Sequence, residues 1–507
     1  MTIPHNPHND STDTSGHKIA TELEQAASLL PTDYQMPIQE IWATFKSADV
    51  FQRSIILQGL LSTCSTSQLS YLSETIQPLL RVDFTKILPS EIIFQILGHL
   101  DAQSLCNAAQ VNSRWKTFAN DDSLWHRMCV QHIDRKCTKC GWGLPLLRKQ
   151  TRAANKRSRE EEPSPSSKRI DRKAWKEVYS ERLVVERHWR KNQKTHRIIK
   201  GGHGKGITCL QFCESLNLVM TGSHDKTAVV WDLETGEKLR TLNGHVRSVS
   251  SLQFDTSKLV TGSMDHTLRV WNYRTGQCIR VLQGHTDGVV HINFDSRILA
   301  SGSADATIKI WNFQTGECYT LSGHTQRVNH VQIQHNSTML VSSSDDSTIR
   351  IWDLAKRECT RVLEGHRGSV QIAISSMPGF MHRFENQVAK KEEEEKSTDC
   401  DSASSSQIVI SGSLDNTLKV WSVDSGECYR TLFGHFQGIK SLDYDKLHLV
   451  SGSQDGSIKI WDIESGFPMH SIHKHSASVT AVSLSDTKVV SASDDGEIHI
   501  WDYGVHA

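Results

Sequence analysis

The sequence predicts an α plus all-β chain in which a helical N-terminal region is joined by a linker helix to a seven-bladed β-propeller. Apolar residues recur at helical spacing before about residue 190. After that point, seven tryptophans recur at mostly 40- or 41-residue spacing, each followed by Asp, Asn or Ser. A period near 40 residues is typical of a four-stranded unit that is repeated around a ring.

The composition argues against a nucleic-acid-binding or membrane-spanning chain. The 507 residues include 57 basic and 57 acidic side chains, so no overall basic field would attract a nucleic acid. No run of about 18 apolar residues occurs, and the polar residues after Met1 lack the apolar core of a signal peptide. We therefore expect a soluble intracellular protein whose residues 1–35 are disordered.

Residues 36–82 follow a helical pattern. Phe51, Ile55, Ile56, Leu60 and Leu61 fall on one face of a predicted helix. A unit of this size has too small a core to stand alone. The segment is therefore expected either to pack on the module that follows or, as we favour, to contact a second copy of the chain in a homodimer.

Residues 83–130 carry the most specific helical motif. Pro89 lies at a helix start, and a stripe of apolar residues follows at helical spacing. The Leu-Pro opening, the Leu-Asp pair at Leu100 and the Val-x-x-x-Trp spacing at Val111 together resemble an F-box.

That resemblance implies that these helices bind a Skp-type adaptor, which links to a cullin scaffold and, through it, to a RING subunit. Trp115 and Trp125 are instead expected to pack the module itself. The residues that the resemblance assigns to adaptor contact are Leu88, Pro89, Ile92, Ile96, Leu97 and Leu100.

Residues 131–170 hold cysteines and a charged linker. Cys129, His132, Cys137 and Cys140 are four ligand-type side chains within twelve positions, which suits a structural zinc. A redox dithiol and inert cysteines, with Cys129 in the core, remain alternatives. The basic pairs at Lys156 and Lys168 match a two-part nuclear localisation signal, so we expect a nuclear protein with a possible cytoplasmic pool.

Residues 171–194 are predicted to form the linker helix. Trp175, Val178, Tyr179, Leu183 and Trp189 recur at helical spacing. A stiff helix would hold whatever the two ends bind at a fixed separation, which a flexible tether would not do.

Residues 195–507 are predicted to form the propeller. Gly-His upstream and Trp-Asp at the end of each copy are the WD-repeat signature. The last copy ends soon after Trp501, so we expect the strand-like segment Thr195–Lys200 to close the ring beside it. The longer interval before Trp421 contains a polar insert, residues 377–406, which is predicted to be disordered and to act as a spacer or a regulatory loop.

Each repeat places a His, an Asp and a Trp together. Because the trio occurs seven times, we interpret it as an internal hydrogen-bonding device and not as a catalytic site. Four cysteines occupy one equivalent point in separate repeats and are expected to be small buried residues without disulfides, namely Cys278, Cys318, Cys359 and Cys428.

The predicted target-binding site is the rim formed by the loops after each Gly-His pair. The resemblance to F-box proteins with WD repeats implies that several arginines on this rim can clamp a phosphorylated target. Because the basic residues in this chain are mixed with acids, a phosphate clamp and scattered surface charge both remain open. The expected binding residues are Lys205, Arg247, Arg327, Arg367 and Lys440.

The order of an F-box followed by WD repeats is similar to that of substrate receptors of SCF-type (Skp–cullin–F-box) ubiquitin ligases. Within them, the motif from Cys137 to Leu147 resembles the fungal sulfur-controller group. That resemblance implies a negative regulator of sulfur-assimilation genes whose target is a bZIP-type activator. A WD-repeat scaffold of a nuclear complex that recruits no ligase is the alternative. No phosphate loop, nucleophile elbow or open metal site occurs, so we expect no enzyme activity and no cofactor beyond the possible zinc.

Overall fold

The computed structural model of the chain describes residues 31–80, 83–132, 174–334, 338–375, 407–445, 447–462 and 465–504. The chain divides into two compact units, residues 1–93 and 94–507. Cys137, Cys140, both basic pairs and the insert 377–406 lie outside the described residues.

The first unit is helical. Its helices are α1 (Thr32–Ser47), α2 (Val50–Thr63), α3 (Thr66–Leu80), α4 (Phe84–Ile87) and the start of α5 (Ser90–Leu97). Asp49 caps α2 by accepting the backbone N–H of Gln52 at 2.7 Å, and the Gln52 side chain accepts the N–H of Asp49 in return. Arg53 donates to the carbonyl of Phe45, at the end of α1, at 3.0 Å, and so ties the two helices together.

The second unit begins with the remaining helices, α6 (Ala102–Ala108), α7 (Ser113–Ala119), α8 (Asp122–His132) and α9 (Trp175–Lys191). Trp125 of α8 is buried and donates its indole N–H to the carbonyl of Ala119 at 2.8 Å. Its ring meets that of Tyr179 on α9 edge-on, 5.4 Å away. No helix in the described part of the chain is long and apolar enough to cross a bilayer.

Four-stranded antiparallel sheets follow, one for each blade of a propeller. Blade 1 comprises β2 (Ile207–Cys213), β3 (Leu218–Ser223), β4 (Ala228–Asp232) and β5 (Lys238–Leu242). Blade 2 comprises β6 (Val249–Phe254), β7 (Leu259–Ser263), β8 (Thr267–Asn272) and β9 (Gln277–Gln283). Blade 3 comprises β10 (Val289–Phe294), β11 (Ile298–Ser303), β12 (Thr307–Asn312) and β13 (Cys318–Ser322).

The other blades repeat this pattern. Blade 4 comprises β14 (Val328–Ile333), β15 (Met339–Ser344), β16 (Ile349–Asp353) and β17 (Glu358–Leu363). Blade 5 comprises β18 (Val370–Ser375), β19 (Ile408–Ser413), β20 (Thr417–Ser422) and β21 (Cys428–Phe433). Blade 6 comprises β22 (Ile439–Tyr444), β23 (Leu449–Ser453), β24 (Ser457–Asp462) and β25 (Phe467–His473). Blade 7 comprises β26 (Val479–Leu484), β27 (Lys488–Ser493), β28 (Ile498–Asp502) and β1 (Thr195–Ile199). The interval that holds the insert therefore lies between the first two strands of blade 5.

The predicted closure of the ring is confirmed. Strand β1 pairs antiparallel with β28, with His196 opposite Trp501. The His196 ring stacks on the Trp501 indole at a centroid distance of 3.9 Å. The last blade thus takes its outer strand from the other end of the propeller sequence, which leaves the ring without an open seam.

The prediction that the repeat cysteines are buried is wrong. Each pairs with the repeat tryptophan across the outermost two strands of its blade. That outermost strand lies at the periphery of the ring, where neighbouring blades diverge. Cys278, Cys318 and Cys428 are consequently exposed and Cys359 is half-buried, and all four are free thiols.

Helix α9 is anchored to the propeller by one tryptophan. Trp189 is fully buried, and its indole stacks on Tyr503 at 3.9 Å and on His448 at 4.4 Å. The indole N–H also donates to the carbonyl of Asp486 at 3.3 Å. His448 and Asp486 lie in the turns between the first two strands of blades 6 and 7. The helix therefore docks on the end of the ring opposite the Gly-His loops.

Trp189→Ala should release α9 from the propeller. Losing a fully buried indole costs about 3–5 kcal/mol, so the amides of α9 should exchange with solvent at least about 100-fold faster, while the β-strands keep their protection. Native-state hydrogen exchange measures this directly. Trp189→Phe keeps the stacking and should show a much smaller change. Equal effects of the two substitutions would contradict the stacking account.

Candidate functional site

Helix α5 presents an apolar face. Ile92 and Ile96 lie four positions apart on the helix and are 42% and 41% exposed. Pro89 before them is also exposed, and Leu88 and Leu100 are half-buried. These residues are available to a partner, as the sequence predicted for an adaptor contact.

Leu97 differs from the other residues of the expected contact set. It is 1% exposed. Its side chain therefore belongs to the core, and its position does not support direct contact with a partner. When an apolar stripe on a helix is wider than two positions, some of its residues face the protein core and others face solvent. Sequence spacing alone does not say which residues face the core.

Cys129 lies in the core next to α9. It is fully buried, and its thiol lies 3.8 Å from the carbonyl of Trp175. Burial raises the pKa of this thiol to about 11, so it stays protonated at neutral pH. No group of three or more metal-ligating side chains occurs among the described residues, which include neither the His132 side chain nor Cys137 and Cys140. The burial of Cys129 fits the core alternative better than a zinc ligand.

In blades 1 to 5, the His, Asp and Trp of the repeat form a hydrogen-bonded chain inside the blade. In blade 2, the Trp271 indole N–H donates to the Thr261 hydroxyl at 2.8 Å, and that hydroxyl donates to Nε2 of His245 at 2.8 Å. Nδ1 of His245 then donates to Asp265 at 2.8 Å. Burial alone would raise the pKa of Asp265, but the hydrogen bonds from His245 and Thr267 outweigh it and lower the pKa. Every donor and acceptor is used internally, which supports the structural interpretation.

The loop face of the ring is the end formed by the Gly-His loops and by the turns before each third strand. Lys205 and Arg247 line one depression there, together with His224, Lys226 and Asp494. Both cations were predicted as binding residues, and the structure brings them together.

The other predicted binding residues lie elsewhere. Arg327 and Lys440 line the central channel, a cavity of about 530 Å³, and Lys440 pairs with Asp494 at 3.5 Å. Arg367 is exposed but lines neither the depression nor the channel. The five residues therefore do not converge on one point, which disfavours a single phosphate clamp.

Sequence reasoning missed a ring of polar side chains that line the channel. Each accepts a backbone N–H from the first strand of the next blade: Gln211 from Phe254 at 2.7 Å, Gln253 from Phe294 at 2.5 Å and Asn293 from Ile333 at 2.8 Å. Asp443 does the same for Leu484 at 2.7 Å, and burial raises its pKa to about 6. In each of these four strands, the sequence signal is a lone polar residue between two apolar ones near the strand end.

Comparison with known families identifies both halves of the chain. An F-box-like family model matches residues 85–131. The family model of the WD domain, G-beta repeat, matches seven segments, at residues 193–232, 236–272, 276–312, 316–353, 392–422, 426–462 and 466–502.

Similar full-length relatives are fungal. The chain is 40% identical over 493 residues to a protein of Talaromyces marneffei, which covers 84% of this chain and 74% of the relative. It is 38% identical over 515 residues to one of Emericella nidulans, which covers 85% and 75% respectively. Both relatives are described as "Probable E3 ubiquitin ligase complex SCF subunit sconB".

The propeller should lose stability as the pH falls from 6.5 to 4. Burial lowers the pKa of His291, His435 and His475 to about 4, whereas an unfolded chain holds these groups near 6.5. The unfolded chain therefore binds more protons in this window, and the free energy of unfolding falls by about 1.4 kcal/mol per pH unit for each extra proton. The raised pKa of Asp443 acts in the opposite sense and offsets part of this fall.

Urea denaturation at a series of pH values measures the slope. His291→Gln removes one of the three histidines and should make the slope shallower. A free energy of unfolding that stays constant from pH 7 to pH 4.5 would contradict this description of the buried histidines.

Proposed function

The chain belongs to the family of F-box and WD-repeat proteins that includes the fungal relatives described as SCF subunits, and we propose that it is the substrate receptor of an SCF-type ubiquitin ligase. The observation that supports this most is the combination of an open apolar face on α5 with a closed propeller that carries its own loop face. The F-box match and the description of the relatives agree with the prediction of a non-catalytic receptor subunit.

In this proposal, the F-box helices bind a Skp-type adaptor, which brings the cullin scaffold and the RING subunit. The loop face of the propeller binds the target. Trp125 and Tyr179 join α8 to α9, and Trp189 joins α9 to blades 6 and 7. Aromatic contacts at both ends of α9 support a fixed distance between the F-box helices that it contacts and the propeller. The target would then be held near the ubiquitin-charged enzyme, and its proximity would promote ubiquitin transfer.

We further propose that the target is a bZIP-type activator of sulfur-assimilation genes and that the chain acts in the nucleus. The motif from Cys137 to Leu147, the basic pairs and the similarity to the fungal relatives support this finer assignment. Quantitative proteomics of cells that carry a variant unable to bind the Skp-type adaptor tests this target assignment. The activator should accumulate, and unchanged levels of every such activator would rule the target out.

Changing the open face of α5 should abolish adaptor binding. Ile92→Asp with Ile96→Asp puts two charges on the apolar face, and burying them at an interface without partners is strongly unfavourable. We expect at least a 100-fold weaker affinity for a Skp-type adaptor in surface plasmon resonance. Leu239→Asp, at an exposed apolar position on propeller strand β5, is the matched control and should bind normally. Wild-type chain that fails to bind the adaptor would instead favour the alternative of a scaffold that recruits no ligase.

Helix α2 offers a second exposed apolar face, which we assign to a homodimer contact. None of its residues is buried, and Phe51 and Ile55 are 73% and 54% exposed. Large exposed apolar patches mark interfaces. Sedimentation equilibrium should show a dimer that Phe51→Asp with Ile55→Asp converts to a monomer. A wild-type monomer at micromolar concentration would contradict the assignment.

A further inference from the structure

The loop face carries two chemically different sectors. The basic sector consists of Lys205, Lys226 and Arg247, on blades 1 and 2. The apolar sector consists of Leu414 and Phe436, where blade 5 meets blade 6. In a ring of seven blades, these two sectors lie on different sides of the channel mouth.

The basic sector has cations without matching acids. Lys205, Lys226 and Arg247 are exposed and line one depression. The acid in that lining is Asp494, which is already engaged by Lys440 at 3.5 Å. Across the described residues, no ion pair is formed by any of the three cations. The depression therefore keeps a net positive charge that can attract an anionic group.

The apolar sector exposes a large ring on a fixed backbone. Phe436 is 81% exposed. Its backbone N–H donates to Asp455 at 3.4 Å, and its carbonyl accepts from the Asn416 amide at 3.2 Å. The backbone is thus held by the two neighbouring blades while the ring contributes nothing to the core. An aromatic side chain held in this way is typical of a binding anchor.

Leu414 lies beside the same loop. It is 38% exposed, and a Cβ atom placed on Gly438 would come within 2.5 Å of its Cδ2 atom. Leu414 therefore leans over the chain two residues beyond Phe436. Two apolar side chains are therefore exposed on this part of the rim.

The basic depression adjoins the central channel. His224, Met264 and Asp494 line both the basic depression and the central channel. Arg327 and Lys440 line the channel itself. The basic sector is therefore continuous with the channel mouth, and the apolar sector lies on another side of that mouth.

We propose that the loop face binds an extended target segment that is anionic at one end and apolar at the other. Unmodified Asp or Glu side chains lie over the basic sector, and a large apolar side chain lies against Leu414 and Phe436. The inference rests on the proposed function only in naming the ligand a ubiquitination target. We favour carboxylates over phosphate because Arg327 and Arg367 lie outside the lining of the depression, which therefore lacks the several convergent arginines of a phosphate clamp.

A display library of unmodified random peptides tests the proposal on the full-length chain. Peptides that bind the wild-type chain should combine an acidic cluster with a large apolar residue several positions away. Phe436→Ser should remove the apolar preference and keep the acidic one. Lys205→Ser with Arg247→Ser should do the reverse. Either change should weaken a selected peptide at least about tenfold, a loss of about 1.4 kcal/mol.

Phe467→Ser is the matched control, because Phe467 is 72% exposed but begins β25, at the opposite end of the ring. This variant should keep both preferences, and thermal unfolding of all variants should match the wild type. Selected peptides without the two-ended pattern, or preferences that survive the sector substitutions, would overturn the proposal. So would binders obtained only after the library is phosphorylated. The affinity for a Skp-type adaptor is measured on the same sample. Normal adaptor affinity together with failed peptide selection would count against this inference alone, whereas lost adaptor affinity would count against the proposed function.

Discussion

The pairing of β1 with β28 is the constraint on which the second unit depends. Only three residues separate the end of α9 from β1, so the strand that closes the ring also fixes where the linker helix ends. Asn192 ends that helix in a left-handed conformation, with φ of 54°, and its side chain accepts a hydrogen bond from Tyr503 at 3.4 Å. The strand that closes the ring therefore also fixes the orientation of the linker helix α9.

The closing blade differs from the others in its hydrogen bonds. In blades 1 to 6, the repeat tryptophan donates to a Ser or Thr hydroxyl at 2.7–3.0 Å. In blade 7, the Trp501 indole N–H has no partner among the described residues. Stacking by His196 and a cation–π contact from Lys194, 4.9 Å from the ring, take the place of that bond. Both residues come from the stretch of chain that runs from the end of α9 into β1, so the strand that closes the ring also supplies these contacts to the tryptophan.

Much of this architecture could be predicted because it follows from periodicity. The spacing of the tryptophans gave the blades, and the missing outer strand of the last repeat identified Thr195–Ile199 as the closing strand. Helical spacing likewise gave α5 and α9. These features depend on the spacing at which tryptophans and apolar residues recur, and that spacing can be read directly from the sequence.

Other features depend on what surrounds one position, and the sequence did not reveal them. Leu97 and Ile96 are neighbours in the same apolar stripe, yet one is buried and the other exposed. The repeat cysteines look like core residues until their strand is placed at the periphery. Phe436 follows a Gly-His pair like any loop residue, and only the fold shows that its ring is exposed. Tertiary context decides each of these cases.

The proposed function requires a rigid connection between the F-box helices of the second unit and the propeller. Pairs of spin labels on bioorthogonal side chains at Val130 of α8 and Leu239 of β5, both exposed, would test it by double electron–electron resonance on the full-length chain. A rigid connection predicts one narrow distance distribution that is unchanged when a Skp-type adaptor is added. A broad distribution, or several interconverting distances, would contradict it.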